Sequence, residues 1–347
     1  MDWVTGFLNE LWDFTVQSLN DNIPLIVGSV KAVVIAVGIM SVVPALVWLE
    51  RRLMGRFQVR LGPNRVGPFG FGQPMADTLK LLFKESIIQA SADKFLFHLA
   101  PAVVVFTAIV AFAVIPFGAP FEIFGMNIEL WGANVNSGIL FVFAISGMGI
   151  YGMVIAGLSS NNKYSLMGGL RSSAQMISYE LTLGLSALSI IILTGSLSLV
   201  DMVLAQESVP FILIQPLAFL LFFIAGVAET NRAPFDLPEA EQELVAGFHT
   251  EYTGMKFAMF FMGEYINMVT MSALVTLLFL GGWNTYGVPL WPIIAFAGKV
   301  VFLLCVFIWL RSTFPRIRYD RLMTFGWKVL LPLCLLNLLI TGTIKVI

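Results

Sequence analysis

Cysteine and histidine are nearly absent. Cys305, Cys334, His98 and His249 are the only ones in 347 residues, and both cysteines sit inside apolar segments without ligand spacing. That excludes a zinc site and an iron–sulfur cradle, which need clustered thiolates or imidazoles. A bis-histidine haem would require His98 and His249 on facing helices at one depth. Any electrons handled near this chain are therefore carried by something else. Charge is also scarce: Asp, Glu, Lys and Arg make up 12% of the residues and net to −1, which argues against nucleic acid as a partner. A cleavable leader is not expected, because residues 1–24 are polar and aromatic rather than basic and then apolar.

Hydrocarbon fills the rest. Hydrophobic residues are 58% of the chain, arranged as apolar runs separated by short loops. Each run is long enough to cross a bilayer, about 20 residues. The expected spans are 24–48, 96–117, 138–158, 172–194, 211–229, 256–280, 292–311 and 326–345. The fold class that follows is an all-α polytopic membrane protein, one integral membrane domain over 1–347. It has eight transmembrane helices plus interfacial amphipathic ones. Residues 1–22, with Trp3 and Trp12, are read as a helix lying at the interface.

Seventeen of the twenty Lys and Arg residues fall in or beside the loops after spans one, three, five and seven. Loops two, four and six carry none. By the positive-inside rule the odd loops are cytoplasmic and both termini are periplasmic. The longest cytoplasmic loop, 51–94, begins R-L-G-P-N-R-V-G-P-F-G-F-G-Q-P, rich in turn-forming residues. Its G-F-G follows no strand and is not a phosphate cradle. The next stretch, 75–85, places Met75, Leu79, Leu82 and Phe83 on one helical face and Asp77, Lys80 and Lys84 on the other. That is a helix lying flat on the membrane, either an anchor or a lip guiding a lipid-soluble ligand inward.

A second cytoplasmic loop, 229–255, is acidic. It holds Glu229, Asp236, Glu239, Glu241, Glu243 and Glu251 against Arg232, the one strong base available to pair with Asp236. Carboxylates crowded beside a low-dielectric slab repel each other and lose hydration, and both effects move their titration toward neutral pH. Pro234 and Pro238 force the backbone to turn, and a helix is expected from Glu239 onward.

Ionisable groups inside spans cost at least about 2.5 kcal/mol each, so they are functional candidates. Glu180 and Glu264 stand near mid-span, Glu229 at the cytoplasmic end of span five, and Lys299 inside span seven. As bland alternatives, the two mid-span acids could be neutral, hydrogen-bonded structural groups, Glu229 could reach water, and Lys299 could snorkel outward. The functional reading is a proton route from the acidic loop through Glu229 to Glu180 or Glu264, continued by Lys299. A stand-alone secondary transporter also fits buried charges and broken spans.

The motifs A-E-T-N-R-A-P-F-D-L-P-E-A-E-Q-E-L-V-A-G-F-H-T-E-Y and R-L-G-P-N-R-V-G-P-F-G-F-G-Q-P-M-A-D-T-L-K-L-L-F-K-E decide between these readings. With L-R-S-S-A-Q-M-I-S-Y-E and W-L-R-S-T-F-P-R-I-R-Y-D, they closely resemble the H-type (subunit 1) family of proton-pumping NADH:quinone oxidoreductase, respiratory complex I, over nearly the whole chain. The resemblance implies a bacterial inner-membrane subunit that forms the membrane part of a quinone tunnel and links it to proton pumping. It implies quinone, with ubiquinone favoured, as substrate. NAD, FMN and iron–sulfur clusters would reside in partner subunits, both hydrophilic and membrane-embedded, with lipids around them. By motif match, Arg51, Arg60, Asp77, Arg232, Asp236, Phe261 and Arg311 would line or shape the tunnel. Glu180, Glu229, Glu239, Glu241, Glu243, Glu251 and Glu264 would be proton-coupling acids, with Lys299 beside them. A membrane subunit of a homologous membrane-bound hydrogenase is the nearest alternative.

Overall fold

In the computed structural model, side chains are described from Gly28 to Lys345, except at 121–129, 134, 239–242, 289 and 290. Residues 2–27, 121–123, 126–128, 241, 242 and 346 are described as backbone elements only. The interfacial placement expected for 1–22, and the side chains of Glu239 and Glu241, lie outside the described residues.

Among the described residues, seven helices are long and apolar enough to cross a membrane. The first is α1 (Asp2–Phe57), apolar from Gly28 onward. It does not stop at the expected Glu50-Arg51-Arg52 but runs on to Phe57, because the Glu50 carboxylate finds partners inside the protein. Next come α2 (Gln73–Phe83) and α3 (Lys94–Ala113), the latter capped by Asp93, whose carboxylate accepts from the amides of Phe95 and Leu96. A two-stranded antiparallel hairpin, β1 (Phe121–Ile123) and β2 (Met126–Ile128), is the one departure from helix among the described residues. Then follow α4 (Gly138–Ser159) and α5 (Lys163–Thr194). Helix α5 begins nine residues before the expected start at 172, capped by Asn162, whose side chain accepts from the Tyr164 amide.

Expected span five is divided. After the short α6 (Leu199–Leu204), one turn of helix, α7 (Phe211–Ile214), is followed by α8 (Pro216–Glu229). Pro216 lacks an amide hydrogen and pushes Gln215 out of the helical region, to φ −128 and ψ 58, so the two segments cannot fuse. The Gln215 side chain is kept satisfied by donating to Thr341 Oγ1 at 2.9 Å. At 14 residues, or about 21 Å, α8 is shorter than the roughly 30 Å hydrocarbon core.

The acidic loop contains a single turn of helix, α9 (Glu241–Leu244), before α10 (Gly254–Phe279). Helix α11 (Pro292–Thr313) and the continuous stretch of α12 (Tyr319–Phe325), a five-residue π segment and α13 (Leu331–Val346) complete the bundle. The most apolar stretch of α10 is 83% buried and that of α1 only 17%, so α10 is the axis around which the others pack. The larger core cluster joins α1, α3, α4, α5, α8, α10, α11 and α13, and a smaller one gathers around Phe97, Phe248 and Phe260.

As expected, residues 75–83 form a helix with a bare apolar face: Met75, Leu79, Leu82 and Phe83 are all more than half exposed. The preceding Gly/Pro segment folds as turns. Gly70 sits at φ +74, where a Cβ would lie 2.2 Å from the Pro63 carbonyl oxygen, so only glycine closes that turn. Trp48 and Arg52 of α1 pin it from the side, both donating to the Phe69 carbonyl.

Candidate functional site

The loop that leaves α8 turns inward. Glu229, Thr230, Asn231 and Arg232 are all buried, and Asn231 takes a left-handed backbone at φ 52. Gln175 of α5 holds the loop in place: its Nε2 donates to the carbonyls of Ala228 and Phe235, both at 2.8 Å, and to Asn231 Oδ1 at 3.3 Å. On the far side the Ile317 amide donates to the Pro234 carbonyl at 3.1 Å. This loop is therefore part of the interior rather than a solvated acidic tail.

Its guanidinium meets a carboxylate that sequence reasoning passed over. Arg232 Nη1 lies 3.8 Å from Glu50 Oε1, and Nη2 lies 3.8 Å from Glu264 Oε2. Arg311 of α11 donates to Glu50 from the other side, and the Tyr265 hydroxyl of α10 donates to Glu50 Oε2 at 2.5 Å. The Arg232 guanidinium also stacks over the Tyr265 ring at 4.4 Å. Two carboxylates and two guanidiniums thus share one site formed by α1, α10, α11 and the 230–238 loop. Glu50 is only 3% exposed, so its charge is tolerable because the pairing and the hydroxyl replace lost hydration. Phe261, one turn before Tyr265, packs with its ring centroid 6.1 Å from that ring.

At the cytoplasmic end of α1, Arg51 bridges Asp77 of α2 at 2.5 Å, and Gln73 donates to the same carboxylate at 3.1 Å. Arg51 and Arg60 line a surface cleft of about 390 Å³ with Met54, Leu61, Gly62 and Pro63. Arg60 is exposed and donates to Gln58 Oε1 at 2.8 Å. Arg232, Phe261 and Arg311 are therefore gathered around Glu50, while Arg51, Arg60 and Asp77 form a second group at the rim. Asp236 is half-buried in the loop between α8 and α9.

The acids do not form one cluster. Glu229 is 4% exposed, its Oε2 has no hydrogen-bond partner in the protein, and Glu180 of α5 acts on it electrostatically. Glu180 is half-buried against α4. Glu264 belongs to the Glu50 site. Glu243 pairs with Arg171 at 2.6 Å on the surface, and Glu251 accepts from Asn162 Nδ2 at 2.7 Å. Lys299 is occupied elsewhere. Its ammonium donates to the carbonyls of Leu280, Gly282 and Asn284 at 2.8, 2.9 and 2.8 Å, using all three hydrogens to hold the loop after α10.

Among the described residues no three His, Cys, Asp or Glu side chains gather in a way that would hold a metal ion. The two cysteines stand apart on α11 and α13 as free thiols, so the donor set does not fit an iron–sulfur cluster in this chain.

Apolar helices closed around paired buried charges define a polytopic membrane protein organised about ionisable groups. Comparison with known proteins narrows this. The family model for NADH dehydrogenase matches residues 30–342. The second of two H-type NADH-quinone oxidoreductase subunits of Syntrophobacter fumaroxidans is 51% identical across 90% of this chain and 94% of its own length. The first H-type subunit from Geobacter metallireducens is 53% identical across 88% of this chain and 92% of its own. The H-type subunit of Syntrophotalea carbinolica is 49% identical across 93% and 98% respectively. The chain belongs to the NADH dehydrogenase family, as the H-type membrane subunit of NADH-quinone oxidoreductase.

Proposed function

We propose that this subunit forms the membrane wall of the path by which quinone reaches its reduction site, and that the Glu50–Arg232–Arg311–Tyr265–Glu264 site links quinone chemistry to proton movement. The observation that carries this reading is the enclosure of two carboxylates and two guanidiniums between α1, α10 and α11, beside the aromatic Phe261. The bare apolar face of α2, tied to α1 by Arg51–Asp77, offers a lip at which a lipid-soluble quinone leaves the bilayer. Reduction of a quinone to the quinol takes two electrons and two protons. Electrons come from a partner subunit's redox centre, and the protein near the quinone must supply or relay protons and balance the charge.

A site with near-zero net charge and several acceptors responds strongly to that demand. Adding negative charge beside Glu50 and Glu264 draws on the two arginines and shifts the balance holding Arg232. Arg232 heads the loop that also carries Glu229, and Glu229 senses Glu180. The acids Glu180, Glu229, Glu239, Glu241, Glu243, Glu251 and Glu264 are read as the coupling set, titrating as linked groups. Lys299, grouped with them on sequence, is read instead as the anchor of the 280–284 loop. Arg51, Arg60, Asp77, Arg232, Asp236, Phe261 and Arg311 are read as tunnel residues. The eighth crossing is α7 with α8. Both termini are placed on the periplasmic face of a bacterial inner membrane, with ubiquinone the favoured quinone and the other subunits of the complex as partners.

The test is Arg232→Gln in the assembled complex. NADH-driven quinone reduction should fall steeply while NADH oxidation by a water-soluble electron acceptor stays intact. Wild-type quinone turnover would remove the charge site from the function.

A further inference from the structure

Helix α4 carries glycines at 147, 152 and 157, and they do different work. At Gly152 an added Cβ would lie 2.5 Å from Val104 Cγ2 and 3.1 Å from the Ala100 carbonyl oxygen; at Gly157 it would lie 2.7 Å from the Ser165 carbonyl oxygen. Those two let α4 press against the backbones of its neighbours, the usual role of small residues between membrane helices. At Gly147 the three nearest atoms all belong to one side chain, Glu180: Oε1 at 2.8 Å, Oε2 at 3.4 Å and Cδ at 3.5 Å. No backbone is close. The missing methyl at position 147 is filled by a carboxylate.

Glu180 depends on that space. Among the described residues it makes no hydrogen bond within the protein, so no donor fixes its rotamer. Its placement is set by the surface it lies against, and Gly147 is that surface. Ile177 and Leu181 of α5 and Met148 of α4 leave large apolar surfaces exposed nearby, giving the displaced carboxylate no polar group to turn to. The partner that responds to its position is Glu229, buried at the end of α8.

We propose that Gly147 is a positioning residue for proton coupling: its lack of a side chain keeps the Glu180 carboxylate directed at Glu229. The inference rests on the reading of Glu180 as a coupling acid. Because the obstructing atoms are the free end of a flexible side chain, a methyl at 147 displaces Glu180 rather than parting the helices. Folding is spared and geometry is not. Misplacement of a reacting group by about 1 Å can cost up to roughly 100-fold in rate.

The experiment compares Gly147→Ala, Glu180→Gln, Glu180→Asp and the double variant G147A/E180D in the intact complex. It measures NADH:quinone turnover, KM for quinone and protons moved per electron, with a soluble acceptor reporting assembly. Gly147→Ala should lower kcat and the proton-to-electron ratio with KM unchanged, and G147A/E180D should recover part of the loss, since Asp is one methylene shorter. Wild-type coupling in Gly147→Ala alongside impaired Glu180→Gln overturns the inference and leaves the reading of Glu180 standing. Wild-type coupling in Glu180→Gln overturns both. If Gly147→Ala does not assemble, assembly of the double variant supports the proposal, and failure of both overturns it.

Discussion

The Tyr265 hydroxyl donates to Glu50 Oε2 at 2.5 Å, joining two residues 215 positions apart. The bond closes the seam between α1 and α10, with the Arg232 guanidinium lying over the same tyrosine ring. One aromatic residue thus holds both a carboxylate and the base that balances it.

Removing each partner should have a graded effect. Glu50→Ala leaves Arg232 and Arg311 facing each other without their shared carboxylate, and breaking a buried pair this way costs about 3–5 kcal/mol. The expected result is poor assembly of the complex. Tyr265→Phe loses one charge-assisted hydrogen bond, about 1.5–3 kcal/mol, and keeps the ring under Arg232. Blue-native gels and quinone turnover should rank wild type, Tyr265→Phe and Glu50→Ala in that order; equal behaviour of the two variants would contradict the arrangement.

Gln175 holds the inward loop through three acceptors. Gln175→Leu leaves the buried Ala228 and Phe235 carbonyls without that donor, at about 1–3 kcal/mol for each. Limited proteolysis should then cut between residues 228 and 238 faster than in wild type, and quinone turnover should fall with it. Unchanged protection of that segment would show that other contacts hold the loop.

Lys299→Met should loosen the loop after α10, because three carbonyls lose an ammonium donor. Thermal stability is expected to fall while protons moved per electron stay at the wild-type ratio. A reduced ratio in a fully assembled Lys299→Met complex would return Lys299 to the proton path.

Tyr252 supplies a pH dependence. It lies just before α10, stacked on Phe97 at 4.0 Å and hydrogen-bonded to Ser159 at 3.1 Å, and burial pushes its phenol from 10.0 to about 12. A raised acid favours the protonated fold, so its contribution is fully present below pH 10 and is lost as pH rises toward 12. Two units correspond to about 2–3 kcal/mol at most. Alkaline unfolding should begin above pH 10, and Tyr252→Phe should weaken that dependence; an identical alkaline profile would show that the phenol does not carry it.

The spans could be read from the sequence because twenty apolar residues have few other uses, and α2 because its apolar and charged positions separate cleanly at helical spacing. The start of α5 was harder to place: Arg171 and the polar residues before it read as loop, yet Asn162 caps a helix there and Arg171 finds Glu243. Pro216 marked the break in span five, but only the Gln215–Thr341 bond shows why it is tolerated. Glu50 left no local trace. A carboxylate followed by two arginines looks like a helix end reaching water, and its partners Tyr265 and Arg311 stand 215 and 261 positions away. Periodicity reports which face of a helix is apolar, not which distant charge will balance an acid on it. The acidic stretch misled in the opposite sense: its carboxylates are close in sequence, and the fold sends Glu229 into the bundle, Glu243 to Arg171 and Glu251 to Asn162.

The account as a whole requires that acids linked to the charge site change protonation when quinone is reduced. Infrared difference spectroscopy of the intact complex, oxidised minus reduced, reads this directly in the carboxylic C=O stretching region. The predicted result is a carboxyl band that appears with quinol formation in wild type and is lost or shifted in Glu229→Gln and Glu180→Gln. A spectrum that shows no carboxyl change, or the same change in all three proteins, would contradict it.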